Sequence, residues 1–203
     1  MRTRTVLLGV ALLRQCLYAQ SESEFRTALA LQESVDALAD LGAVLDLVPG
    51  REQEAIDYHL KAIGISPYFF ADWSNLGDCY RRTGQETKAI QAYRTGLDLA
   101  RKERREHPHD VYARAITGYL LARVGNSEQA RDEIEQARHE LQVDASAQRM
   151  IIRAYGVLND AEGALQVLRN APQTMLCEIR AHPDLGALRA YPAITEVLNN
   201  SGP

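Results

Sequence analysis

His107 and His109 flank Pro108 and lead into Asp110, a run of imidazole and carboxylate groups that invites a metal-binding reading. Imidazoles that share an ion on a helix sit at i and i+4, and no second cluster completes a site, so the run reads as a proline-marked junction between helices. His59 reads as a core imidazole with one hydrogen-bond partner, while His139 and His182 have no recognisable company. Cys16, Cys79 and Cys177 lie far apart with no CxxC spacing, which suggests buried or idle thiols rather than a zinc site or a disulfide framework. The phosphate-cradling loops GxxxxGK(S/T) and GxGxxG are absent, as is the GxSxG elbow of esterases. No catalytic residue, metal or cofactor is expected, and the chain does not read as an enzyme, although an enzyme domain attached upstream is compatible with it.

Composition narrows the partners. The chain has 203 residues, 46% apolar and 25% charged, which is ordinary for a folded globular protein and excludes disordered and collagen-like classes. A net charge of -4 argues against general affinity for nucleic acid or an anionic membrane surface, since both need a positive field to gather them. The odd cysteine count fits a cytoplasmic location. Arg2, Arg4 and the apolar stretch Val6 to Leu13 imitate a secretory leader, but Arg14 breaks the run and no later segment approaches the roughly 20 apolar residues of a membrane span.

The elements that must position any binding residue are visible as a period. Ser21, Ala55, Ala89, Ala130 and Ala164 are each followed four residues later by Phe25, His59, Tyr93, Ile134 and Leu168, and three further on by Ala28, Ala62, Gly96, Ala137 and Ala171. Successive steps are 34, 34, 41 and 34, so the period is 34 with one insertion of seven. A 34-residue period marks a helix-turn-helix unit with a W-x2-L-G-x2-Y, A-x3-F, P pattern. The third copy has Trp73, Leu76, Gly77, Tyr80, then Gly84 in the turn, Ala89 and Tyr93; by these residues the chain resembles the tetratricopeptide-repeat (TPR) family. Cys16 and Asn159 depart from the usual turn glycine, and His59 from the usual aromatic.

The resemblance implies an all-α fold: a right-handed superhelical solenoid of about five repeats, near 2–34, 35–69, 70–110, 111–144 and 145–178, closed by capping helices over 179–203. The first repeat is expected to open with a helix over residues 3–17. The tail around Pro183 and Pro192 resembles the close of TPR arrays attached to bacterial serine/threonine kinases and adenylate cyclases. The insertion falls in Leu97 to His107, and seven residues are nearly two helical turns, so a longer second helix with internally paired charges is expected in the third repeat.

In the TPR family the first helix of each repeat lines a concave groove that receives a protein or peptide partner. Carried over onto this sequence, the groove positions include Asn75, Asp78, Arg81 and Arg82 in the third repeat, Tyr112, Tyr119 and Arg123 in the fourth, and Arg149 and Arg153 in the fifth; Asp36 and Asp46 belong to the second. The basic half is C-terminal, so an acidic partner is expected. The lysine and asparagine set that grips chaperone tails is not reproduced. Three functions compete: a cytoplasmic adaptor, a regulatory or sensory module of a larger bacterial signalling protein, and a periplasmic assembly factor whose leader is cleaved. The apolar first helix, with Val6, Leu7, Leu8 and Leu12, is expected to be covered by an upstream domain or a second copy.

Overall fold

The computed structural model describes residues 2–141 and 144–199, and of Arg2 the backbone alone. Among these residues the backbone forms α-helices and one short 3-10 helix, with no strand. Contacts divide the chain into two compact units, Met1–Gly96 and Leu97–Pro203.

The first unit contains α1 (Arg2–Arg14), α2 (Tyr18–Leu31), α3 (Val35–Asp46), α4 (Glu52–Ile65), α5 (Phe70–Arg82) and the start of α6 (Glu86–Glu106). α1 packs on α2, α3 on α4, and each pair on the next element through α2 with α3 and α4 with α5. Phe25, Leu41, Leu45, Ile56 and Leu76 fill the interior between them. The second unit contains α7 (Val111–Arg123), α8 (Ser127–Glu140), α9 (Ala145–Val157) and α10 (Ala161–Leu168). It closes with α11 (Gln173–Ala181), a 3-10 turn (Pro183–Leu185), α12 (Gly186–Arg189) and α13 (Pro192–Asn199).

The period has a backbone cause. A helix that must stop and reverse commonly ends on a residue in the left-handed region, with the next amide donating back to a carbonyl five residues earlier. Positive φ occurs at Cys16, Gly50, Gly84, Gly125 and Asn159, the same register position in each copy. At four of these turns the closing bond is present: Leu17 N to Leu12 O, Gln85 N to Tyr80 O, Asn126 N to Leu121 O and Asp160 N to Tyr155 O, all 2.8–3.0 Å. The Gly50 turn differs because the connection between α3 and α4, Leu47 to Arg51, is longer than the others, and Arg51 N bonds Val48 O instead.

The paired helices meet at a small residue. A Cβ on Gly9, Gly42, Gly77 or Gly118 would lie 2.4–2.7 Å from Phe25, His59, Tyr93 or Ile134 of the following helix. The fifth pair reverses the scheme, with Gly163 on α10 facing Tyr155 on α9. Asp110, Asp144 and Asp160 cap α7, α9 and α10 by accepting backbone amides near 2.9 Å, so the acid beside the two histidines is a helix cap.

α6 has 21 residues against 14 in α2, α4 and α8, the seven-residue extension expected from the spacing. Lys102 and Glu106 pair within it at 4.0 Å, but Arg104 reaches Glu133 on α8, so its charges are not all internal. α10 has only eight residues, and α11 (Gln173–Ala181) spans residues 178 and 179, between which the sequence reading divided the last repeat from the cap. Cys79 is a free, buried thiol as expected. Among the described residues no helix is long and apolar enough to cross a membrane.

Candidate protein-binding surfaces

In the second unit α7 and α9 carry the arginines that the repeat register singled out. Tyr119 on α7 is fully buried, and the guanidinium groups of Arg123 and Arg153 lie 5.1 and 4.6 Å from its ring centroid. Both also donate to its hydroxyl, Arg123 Nε at 2.7 Å and Arg153 at 3.2 Å. Aromatic faces and a phenolic oxygen suit the weakly hydrated, planar guanidinium, which explains how Arg153 is accommodated with only 8% of its surface exposed. Arg123 further donates to Asp184 at 2.8 Å, and Arg149 to Glu178 at 2.6 Å. Glu178 and Asp184 belong to α11 and the 3-10 turn, so the C-terminal segment lays two carboxylates on the basic face of α7 and α9. Neither acid was singled out from sequence. They lie 29 and 61 positions beyond their arginines, and no local pattern marks them. Tyr112 is half-buried at the start of α7.

The first unit holds the remaining candidates on α5. Asn75 and Arg81 are half-buried, while Asp78 is fully buried and accepts from the Tyr93 hydroxyl at 2.7 Å. Arg82 pairs with Asp46 of α3, both side chains largely buried, and Cys79 Sγ donates to the same carboxylate at 2.7 Å. His59 of α4 completes this nest. It is fully buried and neither ring nitrogen has a hydrogen-bond partner, which contradicts the expected single partner. Burial, and then the nearby Arg82 charge, lower its pKa to about 4, so the ring is neutral at pH 7. Leaving a buried polar atom unpaired costs on the order of 1–3 kcal/mol, so His59 is an expensive way to fill an aromatic position.

A third cluster lies on α3 and α5. Burial, and then repulsion from Asp40 and Asp36, raise the pKa of Asp72 to about 7; burial and Asp36 raise that of Asp40 to about 6, with Arg14 opposing. Asp72 is 1% exposed, and its Oδ2 and the neighbouring Ser74 Oγ have no hydrogen-bond partner. The first unit thus has an acidic cluster on α3 and α5, whereas α7 and α9 of the second carry arginines and no acid. At α1, Leu7 and Leu8 are exposed at 65% and 44% while Val6 and Leu12 are half-buried, so the apolar outer face read from the sequence is present in part.

Comparison with known proteins agrees with the helix pairs. A tetratricopeptide-repeat family model matches residues 73–103, the copy with the fullest pattern. No curated protein sequence matches the chain. Among solved structures, the chain is similar to a thermophilic TPR protein of Thermus thermophilus, with 18% identity, a TM-score of 0.63, and 91% of this chain and 99% of that one covered. It is also similar to pilF of Pseudomonas aeruginosa, at 16% identity and a TM-score of 0.53 over 98% and 88% of the two chains. A chain of the APC/C hetero-tetramer Cut9-Hcn1 aligns at 17% identity and a TM-score of 0.56, over 99% of this chain and 36% of that one. At such identities the likeness establishes the fold alone. With one repeat matched in sequence, five turns in one register and the same paired helices, the chain has the fold of a tetratricopeptide-repeat solenoid.

Proposed function

We propose that this chain is a non-enzymatic scaffold that binds a short acidic peptide segment of a partner protein on the first-helix surface of its second unit. The observation that carries the proposal is the pairing of Arg149 with Glu178 and of Arg123 with Asp184: the Arg123 guanidinium rests on Tyr119, that of Arg149 is steadied by Ala145 O, and carboxylates occupy both. The C-terminal segment stands in for the partner. An acidic segment in trans competes with Glu178 at Arg149, where both side chains keep about a fifth of their surface in solvent, more readily than at the deeper Arg123 pair. Each partly exposed ion pair contributes only about 0.2–1 kcal/mol, so apolar contact along Tyr112 must supply much of an affinity near the micromolar range, roughly -8 kcal/mol.

Competition gives the test. Fluorescence anisotropy with labelled acidic peptides should show tighter binding to Glu178→Gln than to the wild type, because Arg149 loses its occupant, and weaker binding as salt rises. Equal affinity in the two proteins would mean that Arg149 takes no part in recognition. Binding that favours basic peptides would overturn the proposal and direct attention to the acidic cluster of the first unit.

A further inference from the structure

We propose that Asp46, His59 and Cys79, brought together from α3, α4 and α5, form a binding site for a thiophilic divalent cation such as zinc. One donor atom from each side chain lies within 4.8 Å of the other two, and Cys79 Sγ is already 2.7 Å from Asp46 Oδ1. Tetrahedral zinc with bonds of about 2.0–2.3 Å spaces its ligands roughly 3.3–3.8 Å apart, so closure needs shifts of about 1 Å. Imidazole, thiolate and carboxylate are all ligands that zinc accepts, and the thiolate disfavours calcium and magnesium.

A second observation points to a ligand independently of the cluster. His59 is fully buried with both ring nitrogens unpartnered, its Nδ1, Cε1 and Nε2 atoms all within 2.7–2.9 Å of the position a Cβ on Gly42 would take. The equivalent positions in neighbouring copies hold Phe25 and Tyr93, which fill the same gap without bare nitrogens. Packing alone therefore does not account for the imidazole; a metal ion would use one of its lone pairs.

Charge favours the same conclusion. The groups facing His59 and Cys79 are the carboxylates of Asp46 and Asp78 and the guanidinium of Arg82. Two carboxylates against one guanidinium leave the nest one negative charge in excess while Cys79 is a thiol. A divalent ion that enters as the Cys79 proton departs to solvent leaves the nest neutral, with Sγ bonded to the metal. Arg82 keeps its ion pair with Asp46.

The test uses the full-length, tag-free chain stripped with a chelator. Zinc alone should bind one to one, release about one proton, and raise Tm by roughly 5–10 °C at about a hundredfold excess over Kd. Cobalt in its place should give a near-ultraviolet thiolate charge-transfer band. Cys79→Ser should lose the band and the zinc-dependent shift. His59→Phe should lose the shift too, while matching or exceeding the metal-free stability of the wild type, because it restores an aromatic to a packing position. Absence of a zinc effect on the wild type, or an equal effect in both variants, would overturn the site.

Discussion

Gly77→Ala offers the sharpest test of how the helix pairs are built. A Cβ at this position would lie 2.4 Å from Tyr93 Cε1, 2.5 Å from Cδ1 and 3.0 Å from Cζ, all atoms of a rigid ring. That ring is 1% exposed, and its hydroxyl donates to the buried Asp78 at 2.7 Å, so it cannot swing aside without surrendering a charge-assisted hydrogen bond. Overpacking of this kind costs about 1–3 kcal/mol. Against it stands the helix preference of alanine over glycine, about 0.5–1 kcal/mol. The sum is a net loss of about 1–2 kcal/mol. Gly64 near the end of α4 supplies the control, since nothing lies within 4 Å of its built Cβ and it is exposed; Gly64→Ala should gain a few tenths of a kcal/mol. Urea unfolding followed by circular dichroism reads both: the midpoint should fall by about 0.5–1 M for Gly77→Ala at unchanged slope, and rise slightly for Gly64→Ala. If the two variants moved together, the close approach at Gly77 would not be what holds α5 to α6.

Three further outcomes follow from the polar groups and turns. Because Asp72 has a folded pKa raised to about 7, the folded chain binds its proton more tightly than the unfolded chain does, and this site loses stability as pH rises from about 4 through 7. Asp72→Asn should therefore be stabilising by a few kcal/mol, on the order of 4, at pH 8 and nearly neutral below pH 4; an unchanged pH slope in thermal melts would show the carboxyl to be ionised throughout. Asn159→Gly should stabilise by roughly 0.5–1 kcal/mol, since the residue sits at φ 53° in a turn where glycine carries no Cβ penalty; a loss in Tm would mean that the asparagine side chain contributes to the turn. Asp184→Ala should cost about 2–4 kcal/mol and loosen the C-terminal segment, detected by faster amide exchange over residues 183–199, because it removes a carboxylate from the buried Arg123 guanidinium.

What the sequence disclosed and what it withheld separate along one physical line. The left-handed turn residue, the small residue at each helix crossing and the two-turn extension of α6 are local demands of backbone geometry, and local demands recur at a fixed spacing. The departures Cys16 and Asn159 adopt positive φ despite lacking glycine's freedom, which shows the turn register constraining the residue rather than the reverse. The site was legible only as a set of positions. That Tyr119 is buried under two arginines, that Glu178 and Asp184 reach back to α9 and α7, and that His59 approaches Asp46 and Cys79 are consequences of which helices stack, and partners as far apart in sequence as Arg149 and Glu178 or Arg123 and Asp184 leave no periodic trace of their meeting. The short α10 was missed for a different reason: Pro172 interrupts the second half of the fifth copy, and the apolar spacing of Ala164 and Leu168 runs on past the helix end at Leu168.

The central claim, recognition of an acidic segment through the arginines of the second unit, is tested most directly by charge reversal at Arg149. A peptide array of matched acidic and basic sequences, probed at low and moderate salt, should show acidic peptides retained by the wild type and lost by Arg149→Glu, with the preference narrowing as salt shortens the screening length. Acidic binding that is indifferent to the reversal, or a wild-type preference for basic peptides, would contradict the account.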